Sequence, residues 1–160
     1  MTRDLFGMPT DPSQEELRKF AKSFKLHVTQ KDVDGAKCGD PANCIIARAL
    51  LRQLSCEYVT VNANEAKIKN GAFFYYHHTP TPALHLVQNF DEIGAREGEV
   101  KARAAMPRRI TFLMKFLKIR RVPPPRPPMN PEQKAQRKGT STPRAPGLVR
   151  YNRRKRYVGI

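Results

Sequence analysis

Beyond Lys118 this chain loses the means to build a core. Residues 118–160 carry 8 of the 14 prolines and 13 of the 30 basic residues, with Glu132 as the single acid. The run "VPPPRPP" (122–128) has a polyproline bias and cannot enter a central strand, because proline has no N–H to donate. Residues 130–146 are polar and cannot bury enough surface to offset their own ordering entropy. A packed domain must therefore come from the preceding residues. Hydrophobic content of 39% is enough for one small core.

The charge divides at nearly the same place. The net charge is +16, yet residues 1–100 sum to −1 and residues 101–160 to +17. Such a split points to an interaction tail for nucleic acid or another polyanion. Beyond residue 119 arginine outnumbers lysine, which suits bidentate contacts to phosphate. The expected nucleic-acid-binding residues are Arg120, Arg121, Arg126, Arg137, Lys138, Arg144, Arg150, Arg153, Arg154, Lys155 and Arg156. Tyr151, Tyr157, Val158 and Ile160 are poorly explained by charge neutralisation. They make the end of the chain read as an arm that docks on a partner.

Three spans follow: an N-terminal arm and helix (1–25), an α+β module (26–119) and a basic extended arm (120–160). Asp11 or Ser13 can cap the first helix, and Ser13-x-x-Glu16 fits a capping box. Leu17, Phe20, Ala21 and Phe24 follow at helical spacing, predicting about three turns. That stripe either packs on the module or docks on a partner, so Leu17, Phe20 and Phe24 are candidate docking residues.

Within the module, Leu26–Thr29 reads as a strand and residues 30–44 as a polar turn region. Ala42–Leu54 reads as a helix burying Ile45, Ile46, Ala49, Leu50 and Leu54, and Glu57–Val61 alternates as a half-buried strand. Asn70-Gly71 between two strand-like runs signals a hairpin. Its second arm would direct Phe73 and Tyr75 to one side and Phe74 and Tyr76 to the other. Thr79-Pro80-Thr81-Pro82 opens a further helix with a stripe of Ala83, Leu86, Val87 and Phe90, stopped by Gly94. Residues 95–108 read as irregular. "ITFLMKFLKI" (110–119) completes the sheet as a strand, with Ile110, Phe112, Met114 and Phe116 on one face. The order strand, helix, three strands, helix, strand is that of a small α+β domain with an antiparallel or mixed sheet and two packed helices.

Chemical motifs are sparse. Cys38 and Cys44 are separated by five residues, a poor match to zinc spacing, and read better as a turn capped by Asp40 or Asn43 before a helix. His77 and His78 have no nucleophile or carboxylate at a recognisable spacing, and no glycine-rich phosphate loop occurs. The run Phe73-Phe74-Tyr75-Tyr76 admits a base-stacking platform or core packing, with core packing favoured because Lys67 and Lys69 are its only neighbouring cations in sequence. Neither a metal nor a cofactor is expected. No apolar run of about eighteen residues predicts a membrane span, and the N-terminus has no apolar leader. The three cysteines read as reduced intracellular thiols.

Val28-Thr29, Asp32-Val33, Gly35 and Cys44-Ile45-Ile46-Ala47-Arg48-Ala49-Leu50-Leu51-Arg52 together resemble the opening of an uncharacterised family of small phage- and prophage-encoded proteins. The resemblance spans about residues 26–116, continuing through "FDEIG" (90–94) and "RITFLM" (109–114). Ile45 stands where the family pattern has proline, and the two cysteines are set further apart. The resemblance implies a viral origin and an α+β fold. With the charge split it leads to the expectation of a non-enzymatic virion structural or assembly protein, located in the virion or host cytoplasm. Its partners would be DNA or RNA and capsid or other assembly subunits. A ribosome- or ribonucleoprotein-associated protein is the alternative.

Overall fold

The computed structural model describes residues 2–128 and 130–132. The chain divides into two units, Met1–Pro123 and Pro124–Ile160. In the second unit, residues 124–128 carry no regular secondary structure, and Arg126 is exposed.

The first unit runs α1 (Gln14–Phe20), β1 (Phe24–Thr29), α2 (Gln30–Asp34), α3 (Ile45–Leu54), β2 (Tyr58–Val61), β3 (Glu65–Asn70), β4 (Phe73–His78), α4 (Thr81–Glu97), α5 (Glu99–Ala105) and β5 (Arg109–Arg121). The fold is α+β. Its five strands form one sheet in the order β1-β5-β4-β3-β2, every pair antiparallel.

The sheet has to curl. Its edge strands lie four gaps apart, about 19 Å if flat at roughly 4.8 Å per gap. A helix is only about 10–12 Å across. Yet α3 packs against both β1 and β2, so the sheet wraps around it. The inward stripe of α3 (Ile45, Ile46, Ala49, Leu50, Leu54) is buried against Leu26, Val28, Val59, Ile68, Tyr75, Phe112 and Met114 from the strands. The α3 side chains also close the β1 edge. Gln53 accepts from the His27 amide at 2.9 Å and donates to the Lys25 carbonyl at 2.7 Å.

Arg52 binds the Asp32 carboxylate through Nε and a terminal nitrogen, each at 3.0 Å from its nearer oxygen, and also donates to the His27 carbonyl. Asp32 in turn accepts from the Thr29 amide and hydroxyl at the start of α2. Burial alone would push this carboxyl up. The Arg52 guanidinium and the Thr29 donors outweigh burial and hold it below the usual carboxylate range.

Several expectations change. The capping box Ser13–Glu16 forms, but α1 ends at Phe20 after two turns and Phe24 opens β1. Phe20 is 1% exposed and packs on Tyr75 with ring centroids 5.1 Å apart. It belongs to this chain's own core and is not free to dock on a partner. Leu17 and Phe24 are half-buried, and Phe24 packs against that core.

The helix expected from Ala42 starts at Ile45, because Cys44 is its N-cap and Asp40 is engaged in a turn with Ala42 and Asn43. The hairpin loop is Gly71-Ala72, since Asn70 pairs with Phe73. Gly71 supplies the φ of +57° that the first loop position needs.

Gly94 lies inside α4 and does not end it. A Cβ there would stand 2.0 Å from the Cys38 sulfur, so this glycine serves close packing, and Gly98 ends the helix at φ +93°. Residues 99–105 form α5, and β5 runs on through Arg121. Arg120 and Arg121 are therefore strand residues and not part of an extended arm.

Candidate functional site

The outer face of the sheet follows from pairing alone. Residues directly opposite on neighbouring strands share a face. Across β2, β3, β4 and β5 one row reads Tyr58, Lys69, Phe74, Arg120 and the next Thr60, Lys67, Tyr76, Lys118. A third, across β3, β4 and β5, reads Glu65, His78, Lys115. An aromatic column on β4 is thus flanked by a cation column on β3 and another on β5.

One irregularity makes this possible. The pairing shifts between Tyr76 and His77, which face Lys118 and Phe116, so Leu117 is an extra residue. Before this β-bulge the even-numbered residues of β5 face the core. After it Ile119 faces the core, and Lys118 and Arg120 face outward.

The cations sit on the rings. Lys67 Nζ lies 3.9 Å from the centroid of Phe74, Lys118 Nζ 5.0 Å from that of Tyr76, and the Arg120 guanidinium carbon 5.9 Å from the same ring. Phe74 and Tyr76 meet edge to face, 6.5 Å apart. Tyr76 is only 8% exposed yet stands apart from the hydrophobic core, while Tyr58 is 48% exposed at the sheet edge. Lys25 and Arg109 extend the positive face along β1 and β5. Glu65, which pairs with Lys118 at 3.5 Å, is the acid among the outward residues of these strands.

Where β4 ends at His78, the chain turns away through Pro80 and Pro82. It leaves a cavity of about 420 Å³ against Ile110–Leu113 of β5, with His78 and Lys115 also in its lining.

Two further titratable groups, His77 and Cys44, are turned inward. His77 is fully buried, its ring edge-on to Phe24 and Phe116, with Nε2 3.1 Å from the Lys22 carbonyl. Burial pushes its pKa below the ordinary imidazole value. Burial also pushes the Cys44 thiol up to about 11, so it remains protonated while its sulfur accepts from the Ala47 amide. Among the described residues, no cluster of three or more histidines, cysteines or carboxylates could hold a metal ion. No described helix is long and apolar enough to cross a membrane.

Of the residues expected to bind nucleic acid, Arg120 lies on the outer face. Arg121 is turned off it toward Asp4, with which it forms an ion pair. Arg137, Lys138, Arg144, Arg150, Arg153, Arg154, Lys155 and Arg156 lie outside the described residues, as do the docking candidates Tyr151, Tyr157, Val158 and Ile160. Sequence reasoning noted Lys67 and Lys69 beside the aromatic run but favoured core packing there, and it passed over Tyr58, Lys115 and Lys118. The available signal was period-two placement, Lys67-x-Lys69 and Lys118-x-Arg120, on two strands that pair with the aromatic one.

No protein-family model, curated protein or solved structure matches this chain.

Proposed function

We propose that this chain is a non-enzymatic nucleic-acid-binding protein that serves as a structural or assembly component of a phage-type particle. The observation that carries the binding reading is the outer sheet face. Lysine and arginine columns flank a column of aromatic rings, with two acids beside them, Glu57 paired to Lys69 and Glu65 to Lys118. An outer face of this kind costs the fold nothing when it meets a polyanion, and its cations release counterions on doing so. The basic residues beyond Pro123 add to the same charge. The particle setting rests on the family resemblance of residues 26–116, and the partners there are packaged nucleic acid and capsid or other assembly subunits.

The test compares the full chain with a chain ending at Pro123, a cut that leaves β5 whole. Affinity for labelled DNA and RNA is measured against salt. The full chain is expected to bind with steep salt dependence, and the truncated chain to keep a shallower slope carried by the face. If the full chain has no salt-sensitive affinity for either nucleic acid, the binding reading fails. Fixed stoichiometry in purified particles supports the assembly setting, whereas RNA-dependent co-sedimentation with ribosomes overturns it.

A further inference from the structure

We infer that the outer face binds single-stranded nucleic acid, with bases following β4 from the Phe74 and Tyr58 rings to the cavity beside His78. This rests on the nucleic-acid reading above and adds which form of nucleic acid is bound and where.

Three observations converge on it. First, the aromatic column carries its charge on both sides. Lys67 and Lys69 lie on one flank and Lys118 and Arg120 on the other, roughly 10 Å apart across two strand gaps. A duplex offers such a surface only its phosphates. A single strand offers phosphates to the cations and unstacked bases to the exposed Tyr58 ring and the half-buried Phe74 ring.

Second, the spacing is suitable. Phe74 and His78 are four residues apart on one strand, about 13 Å. At the intervening outward position Tyr76, 8% exposed, lies beneath Lys118 and Arg120, so this step offers cations and not a ring. That length takes about three nucleotides of extended chain.

Third, the cavity has the walls and the polar groups that a base needs. Pro80, Pro82 and Leu113 supply apolar surface, and His78 and Lys115 supply polar groups. Between Ile110 and Leu113, β5 has β1 on one side. Alternate residues therefore direct their N–H and C=O groups away from β1, toward the side from which β4 has turned off. Unpaired strand groups of this kind can read the edge of a base. At about 420 Å³ the cavity is large enough for a base and its sugar.

The experiment uses the full chain and fluorescence anisotropy with a labelled oligothymidine and a labelled duplex of the same length. Wild type is expected to prefer the single strand. Tyr58→Ser with Phe74→Leu should weaken single-strand binding roughly tenfold or more for each stacked base lost. Duplex affinity and the salt slope should stay as they were. Leu113→Trp, which fills the cavity from an exposed position, should weaken single-strand binding again. Because Phe74 is half-buried, thermal melts check each variant, and Tyr58→Ser and Leu113→Trp carry the test if Phe74→Leu does not fold. Equal affinity for both forms, unchanged by these substitutions, overturns the inference while leaving nucleic-acid binding intact. Absence of binding to either form overturns both.

Discussion

Replacing Arg52 with Ala would leave the Asp32 carboxylate in place at 3% exposure with its guanidinium gone. Removing one partner from a buried pair costs about 3–5 kcal/mol, because the remaining charge has lost its compensation. Asp32 keeps the Thr29 amide and hydroxyl, which places the expected loss near the lower end, about 3 kcal/mol. The reverse change should cost less. The Arg52 side chain is 40% exposed, so in Asp32→Asn its charge turns to water, and the Asn oxygen can still accept from the Thr29 amide. What is lost is the charge-assisted part of the hydrogen bonding, about 1.5–2 kcal/mol.

The pH dependence separates the two variants further. In the wild type the Asp32 pKa is depressed, so its contribution is present above the unfolded value near 3.8 and is lost as pH falls through the folded value. In Arg52→Ala burial is opposed only by the Thr29 donors, so the carboxyl rises relative to wild type, the folded state takes up a proton earlier and the deficit shrinks as pH falls toward about 4. Urea unfolding midpoints of the full chain at pH 7 and 4.5 measure both effects. Asp32→Asn costing as much as Arg52→Ala at pH 7, or an Arg52→Ala deficit unchanged at pH 4.5, would refute this account of the pair.

Three further outcomes are expected. Gly94→Ala brings a methyl 2.0 Å from the Cys38 sulfur and should destabilise by about 1–3 kcal/mol despite a better helix propensity. Adding Cys38→Ala should recover most of this loss in the same urea titration. Lys118→Ala with Arg120→Ala should reduce the log–log salt slope for single-strand binding by about 1.4, at roughly 0.7 per phosphate contact. An unchanged slope removes both residues from the interface. Burial lowers the His77 pKa, so as pH falls the unfolded chain takes up a proton near pH 6.5 and the folded chain only at a lower pH. Stability should therefore fall as pH drops below about 6.5, and His77→Gln should flatten that part of the curve measured by thermal melts between pH 7.5 and 5.

Legibility in the sequence was uneven for physical reasons. Local signals were readable where one short-range interaction decides the outcome. The Ser13–Glu16 box, the Gly71 turn and the apolar stripes of α3 and α4 are of this kind, and all are present. Failures came where a distant residue decides. Gly94 looks like a helix stop unless Cys38 is known to press on it. Phe20 and Phe24 fall on one helical stripe, but strand pairing with β5 claims Phe24 and Tyr75 claims Phe20. The candidate site was hidden for the same reason. Phe74 and Tyr76 have few cations near them along the chain, and Lys118 and Arg120 reach them only through pairing across some forty residues.

The extra residue in β5 has a consequence for the length of that strand. Leu117 is where the alternation of the chain and the alternation of the sheet fall out of step by one. A chain lacking Leu117 would run from Phe116 directly to Lys118 with no irregularity. Lys118 and Arg120 would keep their outward positions and Ile119 its inward one. The strand can thus lose one residue at this point without exchanging its two faces. A single-residue deletion, elsewhere among the most disruptive changes a strand can suffer, should be tolerated here. Among natural variants of this chain, the segment between Phe116 and Lys118 is the place to look for a change in length.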